Sequence, residues 1–100
     1  MSGTEAGPGR VRVLVADDEV LIRGAVEALL GLEEDLEVLP GVGDGEAAVR
    51  AAVEHRPDVC LLDLEMPGLD GVDAARRILR TVPTLSLIHI SERAGKADRL

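Results

Sequence analysis

The sequence predicts an α/β fold, a doubly wound parallel sheet with helices on both faces. Short apolar runs rich in β-branched residues alternate with segments whose apolar positions recur every three or four residues. The links between them are short, which fits a parallel sheet whose strands are joined through helices. Two of the runs, Val11–Ala16 and residues 59–62, stop at carboxylates, Asp17-Asp18 and Asp63. Ligands of open parallel sheets bind beyond such strand ends, near the switch in strand order.

The elements follow in order. Residues 1–9 hold three Gly and one Pro and read as a flexible leader. Val11–Ala16 is a strand. Asp17-Asp18-Glu19 then opens a helix whose inward positions are Leu21, Ile22, Ala25, Val26, Leu29 and Leu30, with Gly31 as its stop. Residues 36–39 form a weak second strand. Asp44-Gly45-Glu46 caps a second helix over 46–54, ended by Pro57. Residues 58–62 form a third strand, apolar on both faces, with Cys60 as a small buried hydrophobe. Pro67-Gly68-Leu69-Asp70-Gly71 is a turn, and Asp70 caps a third helix with Val72, Ala75, Ile78 and Leu79 inward.

Bulk properties narrow the function. One hundred residues suffice for one small domain, and 46% hydrophobic residues suffice for its core, which lacks any Phe, Trp or Tyr. A net charge of −8 argues against a grip on a nucleic-acid backbone. The single Cys excludes an internal disulfide and fits a reducing compartment. The leader lacks the sections of a signal peptide, and no run approaches a membrane span. A cytoplasmic domain without membrane contact is the expectation.

The chemistry rests on Asp17, Asp18 and Asp63. Nothing near them in the sequence is built to neutralise them, whereas a divalent cation would. Mg²⁺ favours carboxylate oxygens, one or two from protein, and keeps several waters. A carboxylate can also attack phosphorus and form an aspartyl phosphate, and a metal offsets charge on the transferring group. The plainer reading is that Asp17-Asp18-Glu19 caps a helix and that Asp63 is a turn residue. Pattern alone leaves the two readings evenly balanced.

Val13-Leu14-Val15-Ala16-Asp17-Asp18-Glu19, then Arg56-Pro57-Asp58-Val59, then Leu62-Asp63-Leu64-Glu65-Met66-Pro67-Gly68-Leu69-Asp70-Gly71 resemble the receiver domain of bacterial two-component response regulators. The wording is closest to regulators with a C-terminal helix-turn-helix DNA-binding output, and the resemblance covers residues 11 to about 83. It implies a flavodoxin-like receiver fold. Asp63 would take a phosphoryl group from a sensor histidine kinase. Asp17, Asp18, Asp63 and the backbone carbonyl of Glu65 would hold Mg²⁺, and Met66, Pro67 and Gly71 would shape the following loop. Transcriptional control and homodimerisation would belong to further C-terminal sequence.

Beyond residue 84 the pattern departs from that family. A fourth strand ending in a hydroxyl, a fifth ending in Lys-Pro and two more helices are expected, and residues 85–100 do not supply them. Ser91 stands loosely at the hydroxyl position, and Lys96, the only Lys, ends no strand pattern. The tail from Leu85 to Arg99 resembles a translated sequencing adapter. Its first six residues, Leu85-Ser86-Leu87-Ile88-His89-Ile90, read as the transposon end CTG TCT CTT ATA CAC ATC. Residues 1–84 hold 8 Arg against 17 Asp plus Glu, a net −9, with no Lys and one Ser. The expectation is a partial receiver domain over 10–84 and a non-native tail over 85–100 able to mimic a fourth strand. The function expected is phosphoryl acceptance rather than catalysis. A non-phosphorylated binding module and a Mg²⁺-dependent phosphohydrolase using Glu65 are the alternatives.

Overall fold

Each apolar run becomes a strand because its β-branched side chains fit a pleated surface covered on both sides. The computed structural model describes residues 9–66 and 71–90. Its strands are β1 (Val11–Ala16), β2 (Leu36–Val38), β3 (Val59–Asp63) and β4 (Ser86–Ile90). Helices α1 (Val20–Gly31), α2 (Gly45–His55) and α3 (Gly71–Thr81) alternate with them. The strands form one parallel sheet in the order β2-β1-β3-β4. The chain therefore leaves β1 to one side and returns past it to β3, placing the switch in strand order between them. The fourth strand lies where the sequence allowed a mimic, paired along its length with β3. The leader over 1–8, the turn residues Pro67, Gly68, Leu69 and Asp70, and residues 91–100 lie outside the described residues, so the Asp70 cap and Ser91 lie there too.

Side chains alternate across a strand, and the alternation divides the core. On one face Leu14, Ala16, Cys60 and Leu62 are all fully buried with Ala48 and Ala52 of α2 and Ala74 and Ile78 of α3. The alanines of α2 present little bulk, so the helix lies near the sheet and the aliphatic core closes without aromatic rings. On the other face Val13 and Val15 are buried, Leu61 beside Val15 is half-buried, and Ile88 beside Leu61 is 50% exposed. Cover thins from β1 toward β4 because α1, the helix on this face, lies over β1 and β2.

The helical stripes differ from those expected. Among α1 residues none is fully buried, and Leu21 and Leu29 are 86% and 66% exposed. Its half-buried stripe runs through Arg23, Val26, Glu27 and Leu30, so a polar pair shares the inward face with two apolar residues. On α3 the buried line is Ala74 and Ile78, continued just past the helix by Val82, while Val72 and Leu79, expected inward, are 45% and 41% exposed. The spacing of 74, 78 and 82 keeps one line of contact along the helix, and positions 72 and 79 fall on its flanks.

Local chemistry sets the element ends. The Asp44 carboxylate accepts a hydrogen bond from the Ala47 N–H at 2.8 Å, capping α2 as expected. At its other end Arg56 adopts the left-handed conformation with φ 47°. Pro57 disfavours a helical residue before it, so the helix stops there. At the far end of the sheet from the strand-end carboxylates, Arg12 donates to the carbonyls of His55 and Arg56 at 2.6 and 3.1 Å. The Asp58 carboxylate accepts from the Arg12 N–H at 2.8 Å, tying the start of β3 to β1.

Burial pushes the Cys60 thiol from 9.0 up to about 12. Its folded pKa exceeds the unfolded one, so its contribution to stability is complete below pH 9.0 and is lost as the pH rises toward 12. Urea midpoints measured at pH 8 to 11 should therefore fall, and Cys60→Val should flatten that fall. An equal fall in both proteins would remove Cys60 as its source.

Candidate functional site

Register brings the carboxylates together. Ala16 pairs with Leu62 across the switch, so the residues that follow, Asp17 and Asp63, emerge side by side at the carboxyl edge. Asp17 is fully buried, Asp63 is 2% exposed, and Asp18 is exposed. One carboxylate oxygen from each of the three lies within 4.8 Å of the others.

Both strand-end aspartates also make turns. Asp17 Oδ1 accepts from the Glu19 N–H at 2.9 Å, and Asp63 Oδ1 accepts from the Glu65 N–H at 3.0 Å. The turn reading and the cluster reading therefore hold together. The capping reading does not hold: Glu19 is the N-cap of α1, and its side chain makes no capping bond. Asp17 Oδ2 is buried without a hydrogen-bond partner. A buried carboxylate oxygen left unmatched is costly, and Asp17 belongs to the cluster. Oxygen-only donors gathered around one point suit a hard divalent cation.

The electrostatics agree. Burial holds the Asp63 carboxyl above the usual range, and the neighbouring Asp17 and Asp18 push it the same way. The Glu65 N–H opposes them by stabilising the charged form. Sequence reasoning missed one cation. Arg23 Nη1 donates to the backbone carbonyl of Asp17 at 2.7 Å. The expectation that nothing nearby neutralises the acids is corrected to that extent. The available signal was that Arg23 is the one basic residue of α1.

Of the loop-shaping residues, Met66 is 5% exposed and belongs to the core. Its burial in the core anchors the chain just after β3. Gly71 is the first residue of α3, and Pro67 lies outside the described residues. The Glu65 side chain is exposed. No described helix is long and apolar enough to cross a membrane.

Comparison with known proteins adds to this geometry. The family described as "Response regulator receiver domain" matches residues 13–100. Over 74 residues the chain is 45% identical to a protein-glutamate methylesterase/protein-glutamine glutaminase of Caldanaerobacter subterraneus, covering 74% of this chain and 20% of that protein. Over 78 residues it is 41% identical to the transcriptional regulatory protein LiaR of Bacillus subtilis, covering 78% of this chain and 37% of that one. The chain thus spans well under half the length of these relatives. Among solved structures, the response regulator domain of Thermotoga maritima CheB superposes with a TM-score of 0.76 at 32% identity, over 90% of this chain and 72% of that one.

Proposed function

Since the chain belongs to the response regulator receiver domain family, we propose that it is the phosphoryl-accepting switch of a cytoplasmic two-component system, with Asp63 as the acceptor. The observation that carries this reading is the three-carboxylate cluster at the strand switch, with a buried Asp17 oxygen left for a ligand. Asp17, Asp18, Asp63 and the Glu65 backbone carbonyl would hold Mg²⁺. Bound there, the ion offsets negative charge on an incoming phosphoryl group.

The chain's own residues do the rest. The Asp63 carboxylate is held at the mouth of the sheet by the Glu65 N–H, with one oxygen tied and the other available to attack phosphorus. Its oxygen forms the new bond while the bond from phosphorus to the donor breaks, and the electron pair leaves with the donor. A histidine of a sensor kinase is the proposed donor, and the family match supports that partner. Transcriptional output would require a further domain. No direct nucleic-acid binding is proposed for this acidic segment. A hydroxyl contribution from Ser91 belongs to the same reading.

Incubation with acetyl phosphate and Mg²⁺ tests it. Intact mass should show one added phosphoryl group, acid-stable and base-labile, without sustained turnover of a phosphomonoester. Sustained turnover would instead favour a phosphohydrolase.

The metal has its own test. At a hundred times its dissociation constant, a ligand of the folded state stabilises it by about 2.7 kcal/mol, raising the melting midpoint of a domain this size by roughly 10–20 °C. Asp18→Ala should lose most of that rise. It should also raise the metal-free midpoint, because it removes a like charge beside Asp63. Equal Mg²⁺ shifts in wild type and Asp18→Ala would show that the ion binds elsewhere.

A further inference from the structure

We infer that Arg23 is a positioning residue of the acidic site, clamping the Asp17 backbone so that the Asp17 carboxylate is presented with one oxygen free. The inference rests on the reading of the cluster as a Mg²⁺ site.

The clamp has three parts. Arg23 lies one turn into α1, where its N–H is bonded to the Glu19 carbonyl at 2.8 Å. From there the guanidinium returns to the Asp17 carbonyl oxygen at 2.7 Å. On its other side Asp17 donates its N–H to the Val42 carbonyl at 3.0 Å, and Val42 donates to the Val15 carbonyl at 3.1 Å. The peptide groups flanking the Asp17 side chain are thus held from two directions. Its carboxylate direction is then set by the backbone, with Oδ1 tied to Glu19 and Oδ2 unpartnered.

Gly43 makes room for the arginine, and Gly41 makes room for it together with Glu27. A Cβ at Gly41 would run into the Glu27 carboxylate first and would lie 3.0 Å from both Arg23 Cδ and the Val15 carbonyl oxygen, and one at Gly43 would lie 3.0 Å from Arg23 Nη1. Neither glycine has positive φ, so backbone conformation does not demand glycine there. At Gly43 the close passage of the Arg23 guanidinium demands it, and at Gly41 the Glu27 carboxylate does so together with Arg23 and the Val15 carbonyl. The guanidinium bonds a carbonyl and leaves the carboxylates to a ligand. A cation is thereby placed beside three acids without occupying any of them.

Charge and position act in opposite directions, and this makes the inference testable. A bare positive charge near the site repels Mg²⁺, so its removal alone would tighten binding. A positioning residue does the reverse. Loss of a charge-assisted hydrogen bond that orients a ligand should weaken binding about tenfold. Mg²⁺ would be titrated into the full chain, following amide shifts of Asp17 to Glu19 and Asp63 to Glu65, with folding checked by circular dichroism. Arg23→Ala should raise the Mg²⁺ dissociation constant about tenfold. Gly43→Ala keeps the charge but crowds the guanidinium off its carbonyl, and it should weaken binding in the same direction. Gly24→Ala, whose Cβ would meet nothing within 4 Å, should leave binding unchanged.

Unchanged or tighter binding in folded Arg23→Ala, or unchanged binding in Gly43→Ala, would overturn the clamp. Loss of the fold in Arg23→Ala would overturn it as well, since the residue would then hold the domain rather than the site. A wild type that takes up no Mg²⁺ would sink the metal reading itself, a distinct result from a wild type that binds while its variants match it.

Discussion

Asp63→Asn should abolish phosphoryl incorporation completely while stabilising the metal-free fold. The amide is nearly the same size and can still accept the Glu65 N–H through its oxygen, so the turn after β3 survives. It lacks the anionic oxygen that attacks phosphorus, so the aspartyl phosphate cannot form. Stability should move the other way. The folded-state pKa of Asp63 is raised, chiefly by burial and then by Asp17 and Asp18. Such a carboxyl favours the fold while protonated, and that advantage is lost as the pH rises through its raised folded pKa. Above that pKa the wild type carries the cost of the ionised group, and Asp63→Asn does not. Intact mass after acetyl phosphate treatment and urea midpoints without Mg²⁺ measure the two effects. Labelling that persists in Asp63→Asn would place the acceptor elsewhere.

Leu14→Ala and Ile78→Ala should each cost about 2–5 kcal/mol. Both side chains are fully buried, on β1 and α3, and they belong to the same face of the core. That core is built from aliphatic side chains and small alanines, with no aromatic ring to settle into a new cavity. Against a net stability of roughly 5–15 kcal/mol, either change should leave little cooperative unfolding. The contrast is α1. Leu21→Ala and Leu29→Ala remove side chains that are 86% and 66% exposed, and they should shift stability by less than about 0.5 kcal/mol. Urea midpoints of the four variants decide the matter. Comparable losses at Leu21 and Leu14 would mean that α1 is covered in solution by a second apolar surface.

Much of the site was legible because its information is local. A β-branched run that ends at an acid states both the strand and the side chain at its mouth. Val11–Ala16 and Val59–Asp63 are strands over these residues, and Asp17, Asp18 and Asp63 meet at the switch between them. Asp44 capped its helix for the same reason, since an N-cap needs only the next three residues.

What only the tertiary structure decided depends on distance and rotation. Periodicity identifies an amphipathic helix, yet not which flank of its stripe meets the sheet. Leu21, Leu29, Val72 and Leu79 accordingly lie more exposed than their spacing predicted, and Ala74 joined Ile78 on the inward line of α3. A fourth strand over Ser86–Ile90 forms because the edge of β3 offers unpaired backbone groups to an apolar partner. Nor does any local pattern show that Arg23 folds back onto the Asp17 carbonyl past two glycines brought there by the second crossover. The sequence alone determined which carboxylates meet. How they are oriented follows from hydrogen bonds between segments that are far apart in the chain, and those exist only once the sheet has formed.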